Sequence, residues 1–238
     1  SGLSLAFVTS TAHDTMAAVP ATRWDVDSVP QGLSVDLMRP TRHGAYTDGA
    51  ACFDNTQFSV SLAEAMAMDL QHRLLLLHAD TALDGSVATG DGCTGVFVGI
   101  CSTEFGVIVS RSPLADSVYA MTASSLSVAS GRVSFALGLQ GPCASFETAC
   151  SASLVAVHSA SRALQNAECR AHLAAGVNLM LLHANSVGMA IAGMTSVAGR
   201  CHTFGSRADG YCRGEGCSAV VVRTSQFSQL SQVGAKWR

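Results

Sequence analysis

Short, wholly apolar runs alternate along the chain with longer stretches of helical periodicity. Thr94 to Cys101 (TGVFVGIC) is β-branched, apolar and bounded by glycines, the pattern of a central strand buried on both faces. Leu173 to Leu182 and Ser218 to Arg223 (SAVVVR) repeat it, and Ser4 to Thr9 (SLAFVT) and Cys143 to Thr148 (CASFET) predict two shorter strands. A loop containing Pro20, Pro30 and Pro40 follows the first of these. Residues 61–83 predict one long helix, with Ser61 as N-cap and Glu64 as its capping-box partner. Ser124 to Leu137 predicts a helix of small residues suited to close packing. Residues 151–165 predict another, with Leu154, Val157, Ser161 and Leu164 on one face. Apolar strands alternating with helices predict an α/β fold, its sheet covered on both faces.

Composition narrows what this fold does. The chain is 48% hydrophobic and only 13% charged, a lean surface typical of a protein that buries much of itself in a partner. A net charge of −3 with no Lys/Arg run excludes a nucleic-acid footprint. The longest apolar stretch, Leu173 to Met194, is interrupted by Asn178, His183 and Asn185, so no transmembrane segment is expected. Nine cysteines without a C-x-x-C pair fit neither a disulfide framework nor a tetrahedral zinc site. They read as reduced thiols in a reducing compartment, with no metal.

The chemistry concentrates in Gly141 to Leu154, GPCASFETACSASL. A predicted strand runs into a sharp turn at Thr148-Ala149-Cys150, and a helix of small residues starts at once. That is the geometry of a nucleophile elbow. It sets the Cys150 sulfur at a helix N-terminus, where unpaired N–H groups and the dipole favour the thiolate that attacks a thioester.

TACSASL (Thr148 to Leu154) resembles the active-site signature of β-ketoacyl synthases, including the ketosynthase domains of polyketide and fatty-acid synthases. Further blocks resemble the same family, in its order and at about its spacing. These are RWDVD (from Arg23), CFDNTQFSVSLAEAMAMDLQHRLLL (from Cys52), TGVFVGI (from Thr94), SGRVSFALGLQGP (from Ser130) and GRCHTFGSRADGYCRGEGC (from Gly199). The resemblance implies the N-terminal half of a thiolase-like fold, βαβαβαββ, over residues 1–225, with a divergent tail at 226–238. It implies Cys150 as nucleophile, with its own backbone N–H as one oxyanion donor, and Ser151, Phe204, Asp209 and Glu215 as substrate-binding residues. Asp209 and Glu215 are expected to organise the loop beneath the acyl pocket. The implied substrates ride on the phosphopantetheine of an acyl carrier protein or CoA, with no other cofactor. A homodimer, paired through the strand before the elbow, or a second half-domain or larger complex, is the implied assembly.

The family's two histidine motifs, H-G-T-G-T and N-I-G-H, are absent, and none of the eight histidines, His158 on the elbow helix included, has such a neighbourhood. Leu70 stands where the family has Pro, Glu147 where it has Asp, and Gly205 where it has the Asp of its T-F-D block. The expected function is acyl transfer to Cys150 and decarboxylative condensation with a malonyl thioester, incomplete on this chain alone. Alternatives from the same residues are a non-catalytic structural subunit built from a recruited half-domain and a simple acyl-transfer protein. Whether the chain by itself is an enzyme stays open at this point.

Overall fold

The computed structural model describes residues 14–27, 33–84, 93–101 and 104–223. The expected strand at Ser4 to Thr9 and the tail at 226–238 lie outside these. Two two-residue strands, β1 (Ala17–Ala18) and β2 (His43–Gly44), pair antiparallel near the amino end. The main sheet contains β3 (Thr94–Ile100), β4 (Cys143–Phe146), β5 (Ala171–Asn178) and β6 (Gly216–Arg223), in the order β4-β3-β5-β6. β3 runs parallel to both β4 and β5, and β6 runs antiparallel to β5, so the sheet is mixed. All seven residues of β3 are buried, as its unbroken apolar sequence predicts.

The helices are α1 (Val35–Met38), α2 (Leu62–Ala67), α3 (Leu70–Asp84), α4 (Glu104–Ser110), α5 (Leu126–Ala136), α6 (Ala152–Gln165) and α7 (His183–Ile191). Strand alternation sorts the core into two layers. Val96, Val98, Ile100, Leu173, Ala175 and Val177 face Leu75, Leu76 and Ala79 of α3 and Ala129 and Val133 of α5. Phe97 and Ala174 face the other way, onto Ala156, Ala160 and Ala163 of α6. The sheet is therefore covered on both faces, and the α/β prediction holds.

Three local expectations are corrected. The helix expected over 61–83 is two helices. Ser61 does cap the first, accepting from Glu64 N at 3.1 Å, but the Glu64 carboxylate pairs with Arg132 instead of reaching back. Met68 then turns extended (ψ 132°), and Asp69 Oδ1 accepts from Gln71 N at 2.8 Å, which caps a new helix. Arg73 Nε donates to the Met68 carbonyl at 3.1 Å, satisfying the chain at the break. A second N-cap inside a run of helix formers thus outcompetes propagation.

The buried face of α6 is also not the one expected. It is the stripe Ala152, Ala156, Ala160 and Ala163, while Leu154 is 70% exposed. A helix pressed this closely on a sheet has room only for methyl groups. The strand expected to run to Leu182 stops at Asn178, where Leu179 N and Met180 N turn away to side chains, Gln71 Oε1 at 3.2 Å and Glu215 Oε1 at 3.0 Å.

Candidate active site

β4 delivers the chain to the elbow. After Phe146, Thr148 takes φ −128°, ψ 37°, and Ala149 takes φ +53°, the left-handed region that a side chain disfavours by about 1–2 kcal/mol. A 3-10 turn, Ala149–Ser151, carries Cys150 directly into α6. Ser151 Oγ lies 2.8 Å from the Thr148 carbonyl, to which it donates, and 2.9 Å from Thr148 Oγ1, so the turn is laced across its base. Cys150 is exposed at the start of a 14-residue helix. Both features suit a nucleophile: an accessible sulfur, and a place in the chain immediately before a helix N-terminus.

Two glycines set the height of this elbow over the sheet. Gly99 and Gly176 are register partners on β3 and β5. A Cβ on Gly99 would lie 2.4 Å from both Ala152 C and Ser153 N, and one on Gly176 would lie 2.2 Å from Ser153 Oγ. The first turn of α6 therefore rests on a saddle without side chains, in main-chain contact with the central strand.

A cleft of about 430 Å³ opens beside the elbow, lined by Cys101, Glu147, Ala149, Asn178, Asn185, Met189 and Arg213 among others. Cys101, Glu147 and Asn178 stand at the carboxyl ends of β3, β4 and β5, where parallel strands of α/β folds present ligand-binding groups. Burial pushes the Cys101 thiol up, and the neighbouring Glu147 and Cys150 push it further in the same direction. Its Sγ lies 3.9 Å from the Ala149 carbonyl. Arg213 supplies positive charge, fixed by donation to Ser186 Oγ at 2.7 Å.

The residues singled out from the sequence separate into three places. Cys150 and Ser151 are together on the elbow. Phe204 and Asp209 stand on the exposed loop after α7. There Phe204 has φ +62° and its ring is fully exposed. A hydrogen bond from the Ser196 side chain holds Asp209 below the usual carboxylate range, and its Oδ2 accepts from Val197 N at 3.2 Å. Glu215 is buried at the far end of that loop. It accepts from Arg23 Nε at 2.9 Å and Arg23 Nη2 at 2.8 Å, from Thr47 N at 2.9 Å and from Met180 N at 3.0 Å. That ion pair joins the RWDVD block to the residue before β6, and the Met180 N–H bond ties both to the chain leaving β5.

Sequence reasoning missed Cys101, Asn178, Asn185 and Met189. The available signal was position: Cys101 directly follows the most apolar strand, at its carboxyl end. No histidine lines the cleft. His183 stacks on Trp24 at 5.5 Å and meets Thr41 Oγ1 at 3.0 Å, and His158 is exposed on α6. Among the described residues no group of three or more His, Cys, Asp or Glu could hold a metal, and no helix is long and apolar enough to cross a membrane.

A family model described as "Beta-ketoacyl synthase, N-terminal domain" matches residues 7–227. A mycocerosic acid synthase-like polyketide synthase of Mycolicibacterium smegmatis is 37% identical over 221 residues, covering 88% of this chain and 10% of that protein. A phthioceranic/hydroxyphthioceranic acid synthase of Mycobacterium tuberculosis is 37% identical over 216 residues, covering 88% of this chain and 10% of that protein. The chain thus spans about a tenth of the length of these curated relatives. Among solved structures, the ketosynthase from module 6 of the bacillaene synthase of Bacillus subtilis superposes with a TM-score of 0.76 at 30% identity, over 91% of this chain and 35% of that one. An oxazolomycin ketosynthase domain from Streptomyces albus gives 0.78 at 29%, over 92% and 40%. The fold is accordingly the thiolase-like fold of ketosynthases. Sheet order, cysteine elbow and ordered sequence blocks converge, and the chain belongs to the β-ketoacyl synthase family as a copy of its N-terminal domain.

Proposed function

We propose that this chain supplies the nucleophile half of a decarboxylative condensing site in polyketide or fatty-acid assembly. The observation that carries the reading is the elbow: an exposed Cys150 between a left-handed Ala149 and the first turn of α6. The Cys150 thiolate attacks the carbonyl of an acyl thioester, presented on the phosphopantetheine of an acyl carrier protein or on CoA. The tetrahedral oxyanion is met by the Cys150 backbone N–H. Collapse expels the carrier thiolate and leaves an acyl-enzyme. A malonyl thioester then loses carbon dioxide. Its carbanion forms the new carbon–carbon bond at the acyl carbonyl, and the Cys150 thiolate leaves. Ser151 holds the turn, and Phe204, Asp209 and Glu215 shape the loop along the acyl chain.

The decarboxylating histidines and a second oxyanion donor come from outside residues 1–225, which we read as the domain, with 226–238 as a divergent tail. Several features fit a chain that works against other protein. Phe135, Met121 and Val118 are each at least 86% exposed, a surface that suits a covering half-domain or larger complex. β4 is the outer strand of the sheet and only partly covered, which suits pairing with its mate in a homodimer. A reducing compartment keeps the nucleophile a thiol.

The test is product analysis with hexanoyl-CoA and malonyl-CoA. The chain alone is expected to acquire the hexanoyl group and release no carbon dioxide. Addition of a ketosynthase C-terminal half carrying both histidine motifs is expected to yield the β-ketoacyl product. A folded protein that shows no acylation, and yields no product once the C-terminal half is added, would overturn the reading.

A further inference from the structure

Cys93 and Cys169 take no part in the elbow, yet their sulfurs lie 3.0 Å apart. Cys93 immediately precedes β3 and Cys169 stands two residues before β5, and these parallel neighbours are in register at Thr94 and Ala171. Both thiols therefore sit at the amino-terminal edge of the sheet, opposite the cleft. Gly141 makes room for the contact. A Cβ there would fall 2.7 Å from Cys169 Sγ and 2.5 Å from Gly95 N. Gly141 N donates to the Thr94 carbonyl at 3.1 Å, which fixes this close approach. The sulfurs need to close by about 1 Å to reach the ≈ 2.05 Å of a disulfide, a movement within reach of rotation about the two Cα–Cβ bonds.

We propose that Cys93 and Cys169 are a reversible oxidation site, joined as an intrachain disulfide by a small disulfide oxidant of the glutathione class. Cys93 is the half-buried member and Cys169 the buried one, so Cys93 meets the oxidant first. Its thiolate attacks one sulfur of oxidised glutathione, forming a mixed disulfide and releasing one glutathione thiolate. Cys169 then gives up its proton to water, and its thiolate attacks Cys93 Sγ and displaces the second glutathione. Two protein thiols are oxidised and one glutathione disulfide is reduced to two thiols. The new bond joins positions 76 residues apart and encloses β3, β4, the elbow and α6 in one covalent ring. It staples the strands on which the elbow helix rests without touching Cys150.

The experiment treats the reduced chain with oxidised glutathione, traps remaining thiols with N-ethylmaleimide and maps tryptic peptides by mass spectrometry. The expected product links ALQNAECR (residues 163–170) to the peptide spanning 74–111, which also carries Cys101. The link is lost in Cys93→Ser and retained in Cys101→Ser. Oxidation raises the thermal midpoint by roughly 10 °C, from the chain entropy removed by so long a ring, and dithiothreitol reverses it. Recovery of residues 163–170 only as the alkylated peptide overturns the proposal, as does a link that survives Cys93→Ser. The mapping on the unsubstituted chain decides the matter even where a variant folds poorly.

Discussion

Gly99→Ala tests how the elbow is held over the sheet. The added methyl would lie 2.4 Å from Ala152 C and Ser153 N and 2.6 Å from Ala152 O, where ordinary contact begins at 3.4 Å. The start of α6 must therefore lift by about 1 Å, and every atom in the way is main chain. Overpacking costs typically about 1–3 kcal/mol, and a rigid backbone neighbour places this site at the upper end, about 3 kcal/mol. Gly176→Ala differs in kind. Its methyl meets Ser153 Oγ at 2.2 Å and Ser153 Cβ at 2.8 Å, both side-chain atoms. Ser153→Ala removes the nearer atom, so it should recover about 1 kcal/mol of the Gly176→Ala cost and none of the Gly99→Ala cost. Urea unfolding of the parent, Ser153→Ala and the two glycine variants in each background measures all four costs. Iodoacetamide labelling of Cys150 under native conditions should change rate in Gly99→Ala, because the lifted turn carries the sulfur. A Gly99→Ala protein within about 0.5 kcal/mol of its parent, or one rescued by Ser153→Ala as fully as Gly176→Ala, would refute the saddle.

Further predictions concern charge. Glu215 has no exposed side-chain area and Arg23 only 13%, so Glu215→Ala strands a buried guanidinium and should cost about 3–5 kcal/mol in urea unfolding. Burial raises Asp69 to about 6, above its unfolded value, so the native state takes up protons as pH falls from 6 towards 4 and is stabilised. Burial lowers His72 to about 3, so its contribution is complete above pH 6.5 and is lost as pH falls towards 3. The two oppose each other between pH 6 and 4 at about 1.4 kcal/mol per pH unit each, and only the His72 loss continues below pH 4. Asp69→Asn, which keeps a capping oxygen, should stabilise the protein at pH 7. It should also expose a steady loss from pH 6.5 downwards in pH-dependent urea titrations. A variant as flat as its parent between pH 6 and 4 would contradict this.

What the sequence made legible was what depends on neighbours in the chain. Thr94–Ile100 announces its double burial by an apolar run broken by no charged position, and the strand–turn–helix composition around Cys150 announces the elbow. The split of 61–83 was legible only in hindsight. Asp69 is an ordinary residue inside a helical pattern until Ala123 O accepts its N–H at 2.8 Å and holds it as a cap. The misassigned face of α6 has the same origin. Leu154 and Leu164 outrank alanine by hydrophobicity, but the approach of α6 to Gly99 and Gly176 is a tertiary fact, and it selects the smallest side chains. The cleft was hidden for a related reason. Cys101, Glu147 and Asn178 stand at the carboxyl ends of three different strands, and only the parallel register brings those ends together.

The most direct test of the account is intact mass and peptide mapping after incubation with hexanoyl-CoA, comparing the chain with Cys150→Ala. The account predicts one hexanoyl adduct, on the peptide containing Cys150, absent from the variant and released by hydroxylamine. A folded, reduced protein that takes up no acyl group, or takes it up equally in Cys150→Ala, would contradict the assignment of Cys150 as the nucleophile.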